Sequence, residues 1–201
     1  MAEKLTVGGL LFPRFELLDI FGPLELFGML PDQVEIVMLG SDVGPVISAQ
    51  GPSAVIEQTL SATKHVDVLL VPGGVGTRAL MDDNIFLEHL CRLHAATSFT
   101  ASICTGAALL AKAGLLDGRQ ATTNKIAFDF PVRHGPKTTW LKRARWVRDG
   151  NIYTASGVSA GMDMALALIA ELFDRPTALF AAEQAEYVWN EDADHDPFAI
   201  D

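Results

Sequence analysis

The sequence predicts an α/β domain whose mostly parallel central sheet is covered by helices on both faces. Three observations carry that expectation. Apolar runs recur at Leu5 to Phe12, Val34 to Leu39, Val66 to Val71 and Phe99 to Ile103, with helix-like segments between them; this is the alternation that parallel strands and crossover helices produce. The run from Val66 to Val71 is nearly continuous in Val and Leu, as a strand buried on both faces should be, and it stops at Pro72-Gly73-Gly74. Finally, 201 residues that are 49% hydrophobic and 20% charged suffice for one continuous core, so a single domain over 1–201 is expected.

Taken in order, the first helix is expected from Ile20 to Met29, and Asp19 before it is a natural N-cap. Between Asp83 and His94, Phe86, Leu87, Leu90, Cys91 and Leu93 fall at helical spacing, with Glu88, His89 and Arg92 around them. After Ile103 comes Cys104-Thr105-Gly106 and then an Ala/Leu stretch to Ala113 with high helix propensity. Asp149-Gly150 sits between two alternating runs and reads as a β-hairpin, with Trp140 and Trp146 packing on it and Lys and Arg on its outer face. A strongly apolar helix follows from about Val158 to Phe173. Asp174-Arg175-Pro176 breaks it and starts another, ending near Tyr187. Residues 188–201 are acidic and read as a solvated surface tail.

Composition excludes several function classes. Fifteen Lys plus Arg against 25 Asp plus Glu give a net charge of −10, which repels nucleic acid and acidic membrane surfaces. No apolar stretch approaches the roughly 20 residues that span a bilayer, and the first residues lack a signal-cleavage pattern. Two cysteines are too few for a disulfide framework, which makes the cytoplasm the expected compartment. The five histidines are isolated in sequence, and no metal ligand set or cofactor motif is expected.

Chemistry is expected at Cys104. A residue at a strand-to-helix corner projects from the carboxyl edge of the sheet, where the unpaired N–H groups of the first helical turn favour a thiolate. Gly106 leaves room for the bend, as small residues do at other nucleophile elbows. A small buried cysteine at a helix start is the other reading of the same residues. Cys91, on an apolar helical stripe without an electropositive setting, is expected to be the less reactive thiol.

Three segments, Val71 to Gly76 (VPGGVG), Ala101 to Thr123 (ASICTGAALLAKAGLLDGRQATT) and Ser156 to Ile169 (SGVSAGMDMALALI), resemble the ThiJ/PfpI superfamily, related to class I glutamine amidotransferases. The resemblance spans nearly the whole chain and implies a flavodoxin-like sandwich with the nucleophile elbow at Cys104. Its ICTG form, with Thr after the cysteine, is similar to the isonitrile hydratase branch and to the sensor domains of AraC-type regulators. Phe15 to Gly28 resembles the segment in which isonitrile hydratases hold a carboxylate beside the cysteine, which makes Asp19 that carboxylate. Touching groups cannot both ionise cheaply, so the helix end should favour the thiolate while Asp19 keeps a proton and serves as general acid. The resemblance further implies that the N–H of Gly74, in the Gly73-Gly74 turn, pairs with that of Thr105 as an oxyanion hole. A turn needing positive φ at the glycines and a helix-cap role for Thr105 fit the same residues.

One departure from the family pattern matters. Many relatives carry ATTHW or ATSHW where this chain reads Ala121-Thr122-Thr123-Asn124-Lys125. Asn124 can orient a substrate but cannot exchange protons near neutrality. A Cys-His-acid triad is thereby lost, and Lys125 is left either at the surface or at the pocket mouth. The functions in view are then a cysteine-dependent, cofactor-free enzyme of the isonitrile hydratase type acting on a small molecule, a non-enzymatic redox or stress sensor, and an amidase- or glyoxalase-like hydrolase. A homodimer is expected, because Leu24, Leu26, Phe27 and Met29 make the first helix more apolar than one face against a sheet requires.

Overall fold

The computed structural model describes residues 4–201. In chain order the elements are β1 (Leu5–Leu10), α1 (Leu17–Gly28), β2 (Val34–Gly40), β3 (Gly44–Ile47), β4 (Ser53–Ile56), β5 (Gln58–Thr59), β6 (Val68–Val71), α2 (Thr77–Leu80) and α3 (Asn84–Ala95). There follow β7 (Phe99–Ile103), α4 (Gly106–Lys112), β8 (Gln120–Ala121), α5 (Asp129–His134), β9 (Thr139–Trp140), β10 (Trp146–Asp149), β11 (Ile152–Ala155), α6 (Ala160–Leu172) and α7 (Arg175–Gln184).

Seven strands form the main sheet in the order β10-β11-β7-β6-β1-β2-β5. All pair in parallel except β10 with β11, so the predicted hairpin exists and its second strand extends the parallel sheet beside β7. From β1 the chain steps one way to β2, whereas β6 to β7 steps the other way. Right-handed crossovers in opposite directions put their helices on opposite faces. Accordingly α1 packs with α6 and α7, while α4 packs with α2 and α5. The order reverses between β1 and β6, and at such a switch point the loops beyond the carboxyl ends diverge and leave a crevice.

The core fills both faces of the sheet. Val68, Leu69, Leu70 and Val71 are all fully buried, as the continuous apolar run requires. Some expected boundaries move: β1 stops at Leu10, α6 begins at Ala160, and α7 ends at Gln184. The first helix begins earlier than expected, with Glu16 as its N-cap, so Asp19 lies inside the first turn. Leu24, Leu26 and Phe27 are buried within the protomer, and the exposed apolar residues of α1 are Leu18 and Phe21. The apolarity that suggested a dimer is thus spent on the chain's own core. Among the described residues no helix is long and apolar enough to cross a membrane.

One expectation about the later chain is corrected and another is refined. Trp146 packs on the hairpin, but Trp140 lies in β9, donates its indole N–H to the Gly135 carbonyl at 3.0 Å and meets Phe128 edge-on. Residues 188–201 are mostly exposed, as a surface tail should be, but are anchored to the body. Fully buried Asp163 on α6 accepts hydrogen bonds from the Tyr187 hydroxyl at 3.0 Å and the Asn190 N–H at 2.8 Å. It also accepts from Arg145 Nε at 2.6 Å, and Arg145 reaches on to Asp196 at 3.7 Å. Arg145 is therefore a buried anchor rather than part of a charged outer face.

Candidate active site at the carboxyl edge

Every residue of the candidate site comes from a loop or a first helical turn beyond the carboxyl end of β1, β6, β7 or β11, or from the loop after β8. Strand β7 delivers the chain to Cys104, whose φ of 56° lies in the left-handed region. For a non-glycine residue that conformation costs on the order of 1–2 kcal/mol, and the surroundings hold it. The Cys104 N–H donates to the Ser156 carbonyl at 2.9 Å, and the Thr123 hydroxyl donates to the Cys104 carbonyl at 2.7 Å. At Gly106, a Cβ would run into the carbonyl oxygens of Val71 and Pro72, so only glycine lets α4 start this close to β6.

Three donors face the sulfur: the backbone N–H groups of Thr105 and Val158 and the side-chain amide of Asn124. Asn124 is held for this task because its Oδ1 accepts the Ala127 N–H at 2.8 Å. Each donor favours a thiolate, as expected for a helix start. Burial outweighs them, and with the charge of Asp19 it pushes the Cys104 thiol up to about 12. Burial thus works against the thiolate that the helix start was expected to favour.

Asp19 is fully buried beside it. Its Oδ2 accepts the Gly73 N–H at 2.7 Å, while Oδ1 is a buried oxygen with no hydrogen-bond partner among the described residues. Burial raises its carboxyl to about 8 against the pull of the Gly73 N–H, and the charge of Glu16 adds to the rise. Burial thus acts on Asp19 in the direction of the expected proton.

The expected oxyanion pair is rearranged. The Gly74 N–H donates to Thr105 Oγ1 at 3.0 Å, which leaves Thr105 N–H without Gly74 as its companion toward the sulfur. Gly74 has φ of 112°, and a Cβ there would strike the backbone of Arg14 and Glu16, so the turn reading of the glycine holds. Thr105 makes no side-chain cap bond; its hydroxyl is spent on Gly74. The donor missed by sequence reasoning is Val158. It lies in a segment that carried the resemblance, but nothing in a valine's side chain marks its backbone N–H, and its φ of 27° is visible only in three dimensions.

Cys91 is half-buried on α3, its thiol points to the Ala113 carbonyl at 3.6 Å, and burial raises its pKa also. Lys125 is buried, with Nζ donating to Thr122 Oγ1 and, at 2.7 Å, to the Ala144 carbonyl. Burial lowers its pKa to about 8, opposed by Asp196. It lines a cavity of about 470 Å³ together with Asn124, Ser156, Val158, Phe198 and Ile200. Asn124 and Val158 thus both adjoin Cys104 and line the cavity.

With this geometry established, the chain can be set beside known proteins. Residues 6–171 match the DJ-1/PfpI family. An isonitrile hydratase of Pseudomonas putida is 37% identical over 183 residues, which cover 91% of this chain and 78% of that protein. The HTH-type transcriptional regulator CdhR of Pseudomonas aeruginosa is 31% identical over 73% of this chain but only 43% of the regulator. Among solved structures, a ThiJ/PfpI family protein from Pseudomonas syringae superposes with a TM-score of 0.85 at 32% identity, covering 94% of this chain and 77% of that one.

Proposed function

The chain belongs to the DJ-1/PfpI family, and on that footing we propose that it is a cysteine-dependent enzyme of the isonitrile hydratase type, adding water to an isonitrile to give an N-substituted formamide. The observation that carries this reading is the fully buried Asp19 carboxyl beside Cys104, raised by its burial, with Oδ1 unpartnered among the described residues. The sulfur attacks the terminal isonitrile carbon, and the thiol proton passes through Asp19 to that carbon, leaving a thioimidate. Water then adds to the thioimidate carbon and its second hydrogen goes to nitrogen. Collapse of the tetrahedral adduct breaks the C–S bond, returns a proton to sulfur and releases the formamide. Asp19, whose carboxyl is raised by burial to about 8, is suited to take and give a proton in each transfer.

The competing readings are weaker on specific grounds. A redox sensor needs an accessible thiolate, whereas Cys104 is buried and its burial works against the thiolate. An amidase or glyoxalase mechanism resting on a histidine beside the cysteine finds Asn124 in its place. The likeness to an isonitrile hydratase supports the proposal. We also propose a cytoplasmic homodimer joined through α1, where Leu18 and Phe21 are exposed. Turnover of alkyl isonitriles, followed as formamide by mass spectrometry, tests the activity: wild type should convert them and Cys104→Ser should not. No formamide from any isonitrile of a broad alkyl and aryl panel would remove the proposal.

A further inference from the structure

The family match ends at residue 171, yet residues 198–200 reach back to the cavity before Cys104. Their placement is fixed. The Asp196 N–H donates to the Arg143 carbonyl at 2.8 Å, and its carboxylate accepts the Phe198 N–H at 2.9 Å while facing Arg145. Phe198 and Ile200 line the same cavity as Ile126. Ile126 is 99% exposed and Phe198 72% exposed, so nothing in the protomer covers these side chains. The inner end of the same cavity is polar, formed by Asn124, Lys125 and Ser156 near the sulfur.

We propose that Ile126, Phe198 and Ile200 form an apolar subsite for the organic group of the substrate. The occupant is an alkyl or aryl substituent, not a charged or sugar-like one, and its reactive carbon points inward to Cys104. The proposal rests on the reading of Cys104 as the attacking group and adds what decides which substrates it meets. A volume of about 470 Å³ lies in the range of small-molecule sites, and the division into polar floor and apolar mouth matches a molecule with one polar, reactive end. The C-terminal segment is then a specificity element.

The test uses alkylation rather than turnover. Wild type is treated at pH 9 with N-methyl-, N-butyl- and N-cyclohexylmaleimide, and Cys104 and Cys91 adducts are quantified by peptide mass spectrometry. The Cys104-to-Cys91 rate ratio should rise by about twofold or more per added methylene as the tail enters the subsite. In the double variant Phe198→Ser, Ile200→Ser the rise should flatten, with Ile126→Ser as an independent check should the double variant melt early. A flat ratio in wild type, or an undiminished rise in folded variants, overturns the subsite. So does an undiminished rise accompanied by loss of a dimer in sedimentation, which would assign the rim to a second copy of the chain. Isonitrile turnover measured in parallel separates the two claims: a rising ratio without formamide removes the reaction and keeps the subsite, and formamide with a flat ratio does the reverse.

Discussion

Asp19 and Asp163 are both aspartates with no exposed surface, yet their surroundings make opposite use of the buried carboxyl. Asp163 is met by the Arg145 guanidinium, the Tyr187 hydroxyl and the Asn190 N–H, so its oxygens are taken up and its charge is matched. Asp19 is met by one backbone N–H, and one oxygen has no partner. A buried carboxylate with a paired cation is an anchor, because breaking the pair strands a charge. Without the cation, the cheaper course is to keep the proton. What separates the anchoring aspartate from the one proposed as an acid is therefore the presence of a guanidinium, not the depth of burial.

The widest gap between the two sites should appear in rate. Asp19→Asn keeps a polar side chain against Gly73 but removes the transferable proton, and isonitrile turnover should fall by roughly 10²- to 10⁴-fold, with folding largely intact. Turnover within a factor of a few of wild type would take Asp19 out of the catalytic set. At Asp163 the effect should fall on stability. Asp163→Asn leaves Arg145 buried without its main counter-charge, and such losses cost on the order of 3–5 kcal/mol; a fall of roughly 6–20 °C in the melting temperature is expected for a chain of this size. If Asp163→Asn melts like wild type, the C-terminal segment is not anchored as described.

A smaller effect concerns pH. The Asp19 carboxyl lies at about 8 in the folded protein, raised chiefly by burial, and near 3.9 unfolded. The folded state therefore binds the extra proton between those limits. The stability this contributes is fully present below about pH 4 and declines as pH rises through about 8, by at most about 1.4 kcal/mol per pH unit. Denaturant unfolding of wild type against Asp19→Asn across that range should show wild type losing ground as pH rises, and parallel curves would mean that Asp19 is ionised when folded. The least dramatic contrast lies between the thiols: with both pKa values raised, brief iodoacetamide treatment at pH 7 should label neither cysteine extensively, and Cys104 should gain reactivity as the medium is made alkaline. Rapid labelling of Cys104 at pH 7 would show that the three donors outweigh burial after all.

The parallel sheet was legible because strands buried on both faces leave no choice but continuous apolar runs, as at Val68 to Val71. Cys104 was legible because a strand ending in Cys-Thr-Gly before an Ala/Leu helix places its side chain at the sheet edge whatever surrounds it. Asp19 came from resemblance alone; its local pattern read as an N-cap, a place Glu16 occupies. The pinning of residues 188–201 was hidden because their cation, Arg145, lies some 50 residues away in a segment that reads as a charged surface. The upward push on the thiol was hidden for a related reason, since sequence shows the helix start that favours a thiolate but not the depth of burial that opposes it.

The left-handed backbone at Cys104 has a consequence for how this position can change. Glycine would sit there without strain, so Cys104→Gly should leave the fold at least as easy to form while deleting the sulfur. The same φ also means that the sulfur is aimed by the main chain. Its direction is set by bonds from Cys104 to Ser156 and Thr123, not by the choice of side-chain rotamer alone. A substrate must therefore bring its carbon along one fixed line of approach, and selection among substrates becomes a matter of which molecules can be steered onto that line.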